Sequence, residues 1–175
     1  LGFSDTSNIS GSWDSVTGTL TLTGTDSVAN YQSALRSVTY SNTSEDPGTL
    51  PRTIRFLVND GDADSLAVTR DVDVSAANDA PVLSGIETSD VSYLENDSPV
   101  IVTDTLLIGD VDDSSIESAT IQITGNHDAS QDVLGFSDTS NISGSWDSVT
   151  GTLTLTGTDS VANYQSALRS VTYSN

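Results

Sequence analysis

The chain has 175 residues and carries 25 acidic side chains against five arginines and no lysine, for a formal net charge of -20. It therefore has no basic patch to neutralise phosphates, which argues against a nucleic-acid partner, and an anionic membrane surface would repel it. The absence of cysteine excludes disulfides, and no apolar run approaches the length of a membrane span.

In chain order, Thr19-Leu20-Thr21-Leu22-Thr23 alternates cleanly and predicts a strand with both leucines on one face. Asp26 and Ser27 are capping residues, and Val28, Tyr31, Leu35 and Val38 follow at spacings of three and four, which predicts about ten residues of helix. That helix should hand over to a strand at Val38-Thr39-Tyr40. Tyr31 and Tyr40 are expected in the core, and Trp13 and its counterpart Trp146 at partly buried hairpin positions. Thr53 to Val58 predicts a strand with Ile54, Phe56 and Val58 inward, and Asn59-Asp60-Gly61-Asp62 turns the chain into a return strand over Leu66 to Val74. Val100 to Leu107 and Ala119 to Thr124 predict two more strands.

Residues Leu1 to Asn42 and Leu134 to Asn175 are identical letter for letter, at an offset of 134 − 1 = 133 residues. Such a period is too long for a solenoid and suits bead-like domains in tandem. Ala76-Ala77-Asn78-Asp79-Ala80-Pro81 reads as a boundary, because Pro81 cannot donate to a ladder and holds its predecessor extended. The expected organisation is residues 1–77 as the C-terminal part of one repeat, 78–82 as linker, and 83–175 as the N-terminal part of the next. Two partial repeats predict exposed strand edges and head-to-tail association, residues 1–77 of one chain completing residues 82–175 of another.

Twenty-one of the acids are aspartates, a residue type of loops and a short ligand for hard cations. They cluster at predicted strand ends: Asp110, Asp112 and Asp113; Asp60, Asp62 and Asp64; Asn78 and Asp79; and Glu95 beside Asn96. Calcium takes six to eight oxygens at about 2.3–2.6 Å, and aspartates at alternate positions of a turn can converge on one centre. Asp60, Asp62 and Asp64 open like an EF-hand loop, but Ser65 stands where that loop needs glycine, and strands flank it.

The elements Glu95-Asn96, Gly109-Asp110-Val111-Asp112, Leu22-Thr23-Gly24-Thr25, Tyr31 through Tyr40, Val58-Asn59-Asp60-Gly61 and Asn78-Asp79-Ala80-Pro81-Val82-Leu83 occur within one repeat. Together they resemble the cadherin-like tandem repeats of large bacterial surface and RTX-type adhesins. The resemblance implies an all-β, cadherin-like or Ig-like Greek-key β-sandwich with one short inserted helix. It also implies calcium as the cofactor, an extracellular position on a bacterial cell surface after secretion, and roles in cell adhesion and biofilm. By the same resemblance Asn78 and Asp79 are linker ligands, Asp110 and Asp112 the ligands of the following domain, and Glu95 a ligand of the next junction. Ala76 stands where the cadherin linker has its first aspartate.

An enzyme is not expected: His127 is the only histidine, and there is neither a cysteine nucleophile nor a Gly-x-Ser-x-Gly elbow. The expected partners are neighbouring repeats of the same chain, with surface polysaccharide or other cell-surface ligands beyond them. The alternative is a carbohydrate-binding β-sandwich module of a secreted protein, which an exposed Trp13 beside a second coplanar aromatic would favour.

Overall fold

The computed structural model describes residues 1–175, and its contacts divide the chain into two units, Leu1–Ser75 and Ala76–Asn175. Strands in small antiparallel sheets, with two short helices, make up both units, in keeping with the all-β sandwich class. Neither helix is long and apolar enough to cross a membrane.

In the first unit, β1 (Ser10–Asp14) and β2 (Thr19–Thr23) form a hairpin with Trp13 opposite Leu20. Asp14 shapes its turn: one carboxylate oxygen accepts the Val16 N–H at 2.9 Å, the other the Thr17 hydroxyl at 2.7 Å. Helix α1 (Val28–Arg36) begins as expected, with the Ser27 hydroxyl oxygen accepting the Asn30 N–H at 3.2 Å. A second hairpin pairs β3 (Arg52–Phe56) with β4 (Val68–Val72), Ile54 opposite Arg70. The strand expected at Val38–Tyr40 is reduced to one bridge between Gly2 and Thr39. The residues expected inward on the second hairpin are only partly covered: Ile54, Phe56 and Val72 are half-buried, while Val58 and Val68 are exposed. The reason is that no third element lies over that face within the unit.

The second unit holds the continuous core. Its strands are β5 (Val82–Ser84), β6 (Val100–Ile101), β7 (Leu107–Gly109), β8 (Ser115–Gln122), β9 (Val133–Gly135), β10 (Ser143–Asp147), β11 (Thr152–Ser160) and β12 (Thr172–Ser174), with helix α2 (Val161–Arg169) before the last. Two antiparallel sheets, in the orders β10-β11-β8 and β6-β12-β9, and the pair β5-β7 make up the unit. Leu134 of β9, Leu153 and Leu155 of β11, and Tyr164, Ala167 and Leu168 of α2 are buried together with Ile142 and Val171. Apolar residues of β8, among them Ile116, Ala119 and Ile121, pack on that cluster.

The single strand expected over Val100–Leu107 is broken into β6 and β7. Between them the chain bends so that Glu87 accepts the Asp104 and Thr105 N–H groups at 2.8 and 3.0 Å and the Thr103 hydroxyl at 2.7 Å. Donors given to a carboxylate cannot also serve a ladder.

The repeat makes the two units a controlled comparison, since 42 residues of identical sequence occur in both. Locally they fold alike: hairpin register, aspartate turn and helix cap coincide, and Ile9 and Ile142 are both fully buried. Burial of the sheet face differs. Leu153 and Leu155, beside β8 in one sheet and packed in the core cluster, are 2% and 0% exposed, whereas Leu20 and Leu22 of β2 are half-buried. Tyr164 is fully buried and Tyr31 half-buried, so the expected core role of this tyrosine is realised where partner strands are present.

Candidate metal centre

Asp110 to Asp113 form the turn between β7 and β8. Asp110 bends the chain around its own carboxylate: one oxygen accepts the Asp112 N–H at 3.2 Å and the Asp113 N–H at 2.9 Å. This brings one carboxylate oxygen from each of Asp110, Asp112 and Asp113 within 4.8 Å of one another. The Asp113 N–H in particular holds the Asp110 carboxyl below the ordinary carboxylate range. Asp112 moves the other way. The Asp79 N–H favours its ionised form, but its contact with Asp110, its burial and the charges of Asp110 and Asp113 outweigh that and raise it.

One oxygen of Asp112 accepts the Asp79 N–H at 2.8 Å; the other is closed to solvent and has no hydrogen-bond partner. A carboxylate oxygen is a strong acceptor, so one closed to solvent and without a donor among two more carboxylates is suited to a hard cation as its partner. Three carboxylates fit calcium, with further oxygens from backbone or water. The bond from Asp79 also ties the 78–79 dipeptide to this turn, and the Asn78 amide donates to the Asp79 carbonyl at 2.8 Å.

The remaining predicted ligands lie elsewhere. Glu95 is exposed ahead of β6 and outside the cluster. Asp60, Asp62 and Asp64 sit on the loop between β3 and β4, and the structure does not gather them. There Asp60 accepts the Asp62 and Ala63 N–H groups at 3.0 and 2.9 Å, which lower its pKa, and Asp64 accepts the Asn59 amide at 2.8 Å. These two carboxylates hold a tight loop.

Sequence reasoning missed two polar clusters. Glu87 bears no local mark, since its partners lie 16 to 18 residues further on. Asp132 is buried, accepting the Asp128 N–H at 2.7 Å and the Tyr173 hydroxyl at 2.6 Å, which lower its pKa and raise that of Tyr173. The Asp128-x-Ser130 turn was readable as a polar loop, but its tie to Tyr173 was not. Trp146 packs edge-on against His127 at 6.2 Å, and Trp13 is 45% exposed with no aromatic neighbour.

Over 182 aligned residues the chain is 34% identical to a stretch of Halomucin from Haloquadratum walsbyi. The alignment takes in 99% of this chain and 2% of Halomucin, so the chain spans a small fraction of that protein's length. No family model matches the chain, and no solved structure does.

Proposed function

We propose that the chain is a repeat module of an extracellular surface protein, stiffened by calcium at Asp110, Asp112 and Asp113, with a structural and adhesive role and no catalysis. The observation that carries the calcium reading is the solvent-closed, unpartnered oxygen of Asp112 between two neighbouring carboxylates. The surface reading is supported by the internal repeat and by similarity along the whole chain to a stretch of Halomucin. A cation at this turn would tie β7, β8 and the Asp79 segment together, stiffening the unit where the chain enters it.

A second reading of the acid has its own support. The relative comes from a halophilic archaeon, and many of the aspartates here are exposed, their carboxylates spent on local turns. On that reading the charge keeps the surface hydrated in brine, and sodium chloride suffices to screen its self-repulsion. Thermal unfolding in calcium, in chelator and in sodium chloride of matched ionic strength separates the two. A ligand that binds only the folded state stabilises it by RT ln(1 + [L]/Kd). For an extracellular-type Kd of about 10⁻⁴–10⁻³ M, about 10 mM calcium adds on the order of 1.4–2.7 kcal/mol, several degrees in Tm. Asp112→Asn should abolish that gain and, by relieving carboxylate repulsion, raise the Tm in chelator; Asp90→Ala should change neither. Equal stabilisation by calcium and matched sodium chloride removes the metal site and leaves the halophilic reading.

A further inference from the structure

β1 and β10 are edge strands: each pairs on one side only, β1 with β2 and β10 with β11. Every position of the 133-residue period is present in the chain, and the 42-residue stretch that holds these strands is present twice. The first unit contains the strands that follow that stretch, β3 and β4; the second contains those that precede it, β5 to β9. Each unit thus has the strands the other lacks, and neither places one on the outer side of β1 or β10. The open edge belongs to the repeat itself.

Such an edge is a template for pairing with another chain, and folded proteins blunt it with lysine, proline, a bulge or an inward-turned charge. The first three are absent here. The chain has no lysine, neither strand contains proline, and both registers run unbroken, from Ser10–Thr23 to Asp14–Thr19 and from Ser143–Thr156 to Asp147–Thr152. Both strands are mostly exposed, and each begins with the uncharged run Ser-Gly-Ser-Trp. The fourth device is present in both units. The Asp138 carboxylate, from the loop between β9 and β10, accepts the Gly144 N–H at 2.8 Å, and Asp5 accepts the Gly11 N–H at 2.8 Å. Neither glycine position can shield its donor with a side chain of its own. A Cβ at Gly144 would lie 2.7 Å from Phe136 Cδ1, and one at Gly11 the same distance from Phe3 Cδ1.

We propose that the outer edge of β10, like that of its copy β1, is a latent interaction surface for the same strand of a second copy of this chain, and that Asp138 and Asp5 hold it closed. Each carboxylate acts twice. It occupies a donor from which a ladder to the second copy would start, and it sets its charge against the identical charge on the approaching edge. The repeat makes the second copy the occupant. A tandem array holds identical edges together at high effective concentration, and two identical edges pair antiparallel about a twofold axis with no other complementarity needed. The inference rests on the repeat-module reading but not on calcium.

With no cysteine in the chain, one introduced by Ser145→Cys, exposed in the middle of β10, reports alone. When two β10 edges pair antiparallel about this residue, the two reporters face each other within disulfide reach. The reporter chain is compared with and without Asp5→Ala plus Asp138→Ala, in chelator under mild oxidation, and the disulfide-linked dimer is measured against concentration. Removing both carboxylates should raise the dimer fraction at dilute concentration by about tenfold or more, since pairing then breaks no hydrogen bond and opposes no charge at these positions. Asp46→Ala plus Asp90→Ala, the same charge change at exposed sites away from both strands, should leave the dimer at the parent's level. Asp5→Asn plus Asp138→Asn, which keeps an acceptor for each glycine, should raise it less than the alanines do. In the parent, amide hydrogen exchange of Gly11 and Gly144 should be slowed, a measurement that depends on no variant's stability. No rise on removing the carboxylates, an equal rise with Asp46→Ala plus Asp90→Ala or with the asparagines, or unprotected Gly11 and Gly144 amides would each overturn the proposal. Because chelator is present throughout, failure here is distinguishable from failure of the metal site.

Discussion

Glu87 gathers a hydroxyl and two backbone N–H groups onto one carboxylate, and these donors, the Thr103 hydroxyl first, hold its pKa far below the ordinary 4.5. A carboxyl depressed in this way favours folding fully above its unfolded value, and that contribution is lost as the pH falls through the folded one. Glu87→Gln should therefore lower the Tm at pH 7 and flatten its fall on acidification below pH about 4.5. A melting series from pH 7 to pH 3 checks this; parallel curves for variant and parent would show that the clasp does not depend on ionisation. At this scale the sequence was legible only where partners are near neighbours. Asp14, Asp60 and Asp110 sit in turns that their own spacing announces. Asp5, which belongs to no cluster, turns out to accept the Gly11 N–H at 2.8 Å. Glu87 and Asp132 act on residues far along the chain and left no trace in local pattern.

Elements follow the same division. The β1–β2 and β10–β11 hairpins and both helices were foreseeable, because alternation, a capping serine and a turn glycine lie within a dozen residues of each other. What escaped was the break between β6 and β7 and the extension of β11 beyond its counterpart β2. That extension depends on β8, to which Asp159 and Ser160 pair after a register shift at Gly157. Gly157 has φ of +122°, and a Cβ there would run into the Asn141 carbonyl. Gly157→Ala combines a left-handed backbone with a clash against main chain and should cost roughly 2–4 kcal/mol. Gly18→Ala, at φ +66° with open space around it, should cost only about 1–2 kcal/mol. Chemical denaturation of the two variants provides the comparison.

For the whole molecule, the repeat separates what a sequence encodes locally from what it needs its partners to complete. Leu22 and Leu155 occupy the same place in the same 42-residue sequence, yet Leu155 is fully buried and Leu22 is not. No reading of those 42 residues alone could tell the two fates apart, since the difference lies in the residues of β6 to β8 that pack on the cluster in the second unit. Leu155→Ala should cost about 3 kcal/mol, as for a fully buried leucine, and Leu22→Ala about 1 kcal/mol. The second unit, with the continuous core, should melt above the first. Calorimetry should resolve two transitions, the upper one shifted by the first variant and the lower one by the second. A single transition moved equally by both would contradict this.

Identical hairpins also set a problem in time. While the chain collapses, β8 meets two copies of the same partner, Thr19–Thr23 and Thr152–Thr156, and nothing in their side chains distinguishes them. Only the length of intervening chain does: from Gln122 to Thr152 is 30 residues, from Thr23 to Ser115 is 92. The difference in closure entropy is about 1 kcal/mol, roughly a fivefold preference for the native partner. On the order of one molecule in six should therefore first pair wrongly and have to retrace, a trap characteristic of repeat proteins. Stopped-flow refolding should show a minor slow phase of about that amplitude, and Leu20→Ser with Leu22→Ser should erase it by spoiling the decoy. Refolding in a single phase from the outset would mean that β8 recruits its partner only after the second unit has closed around it.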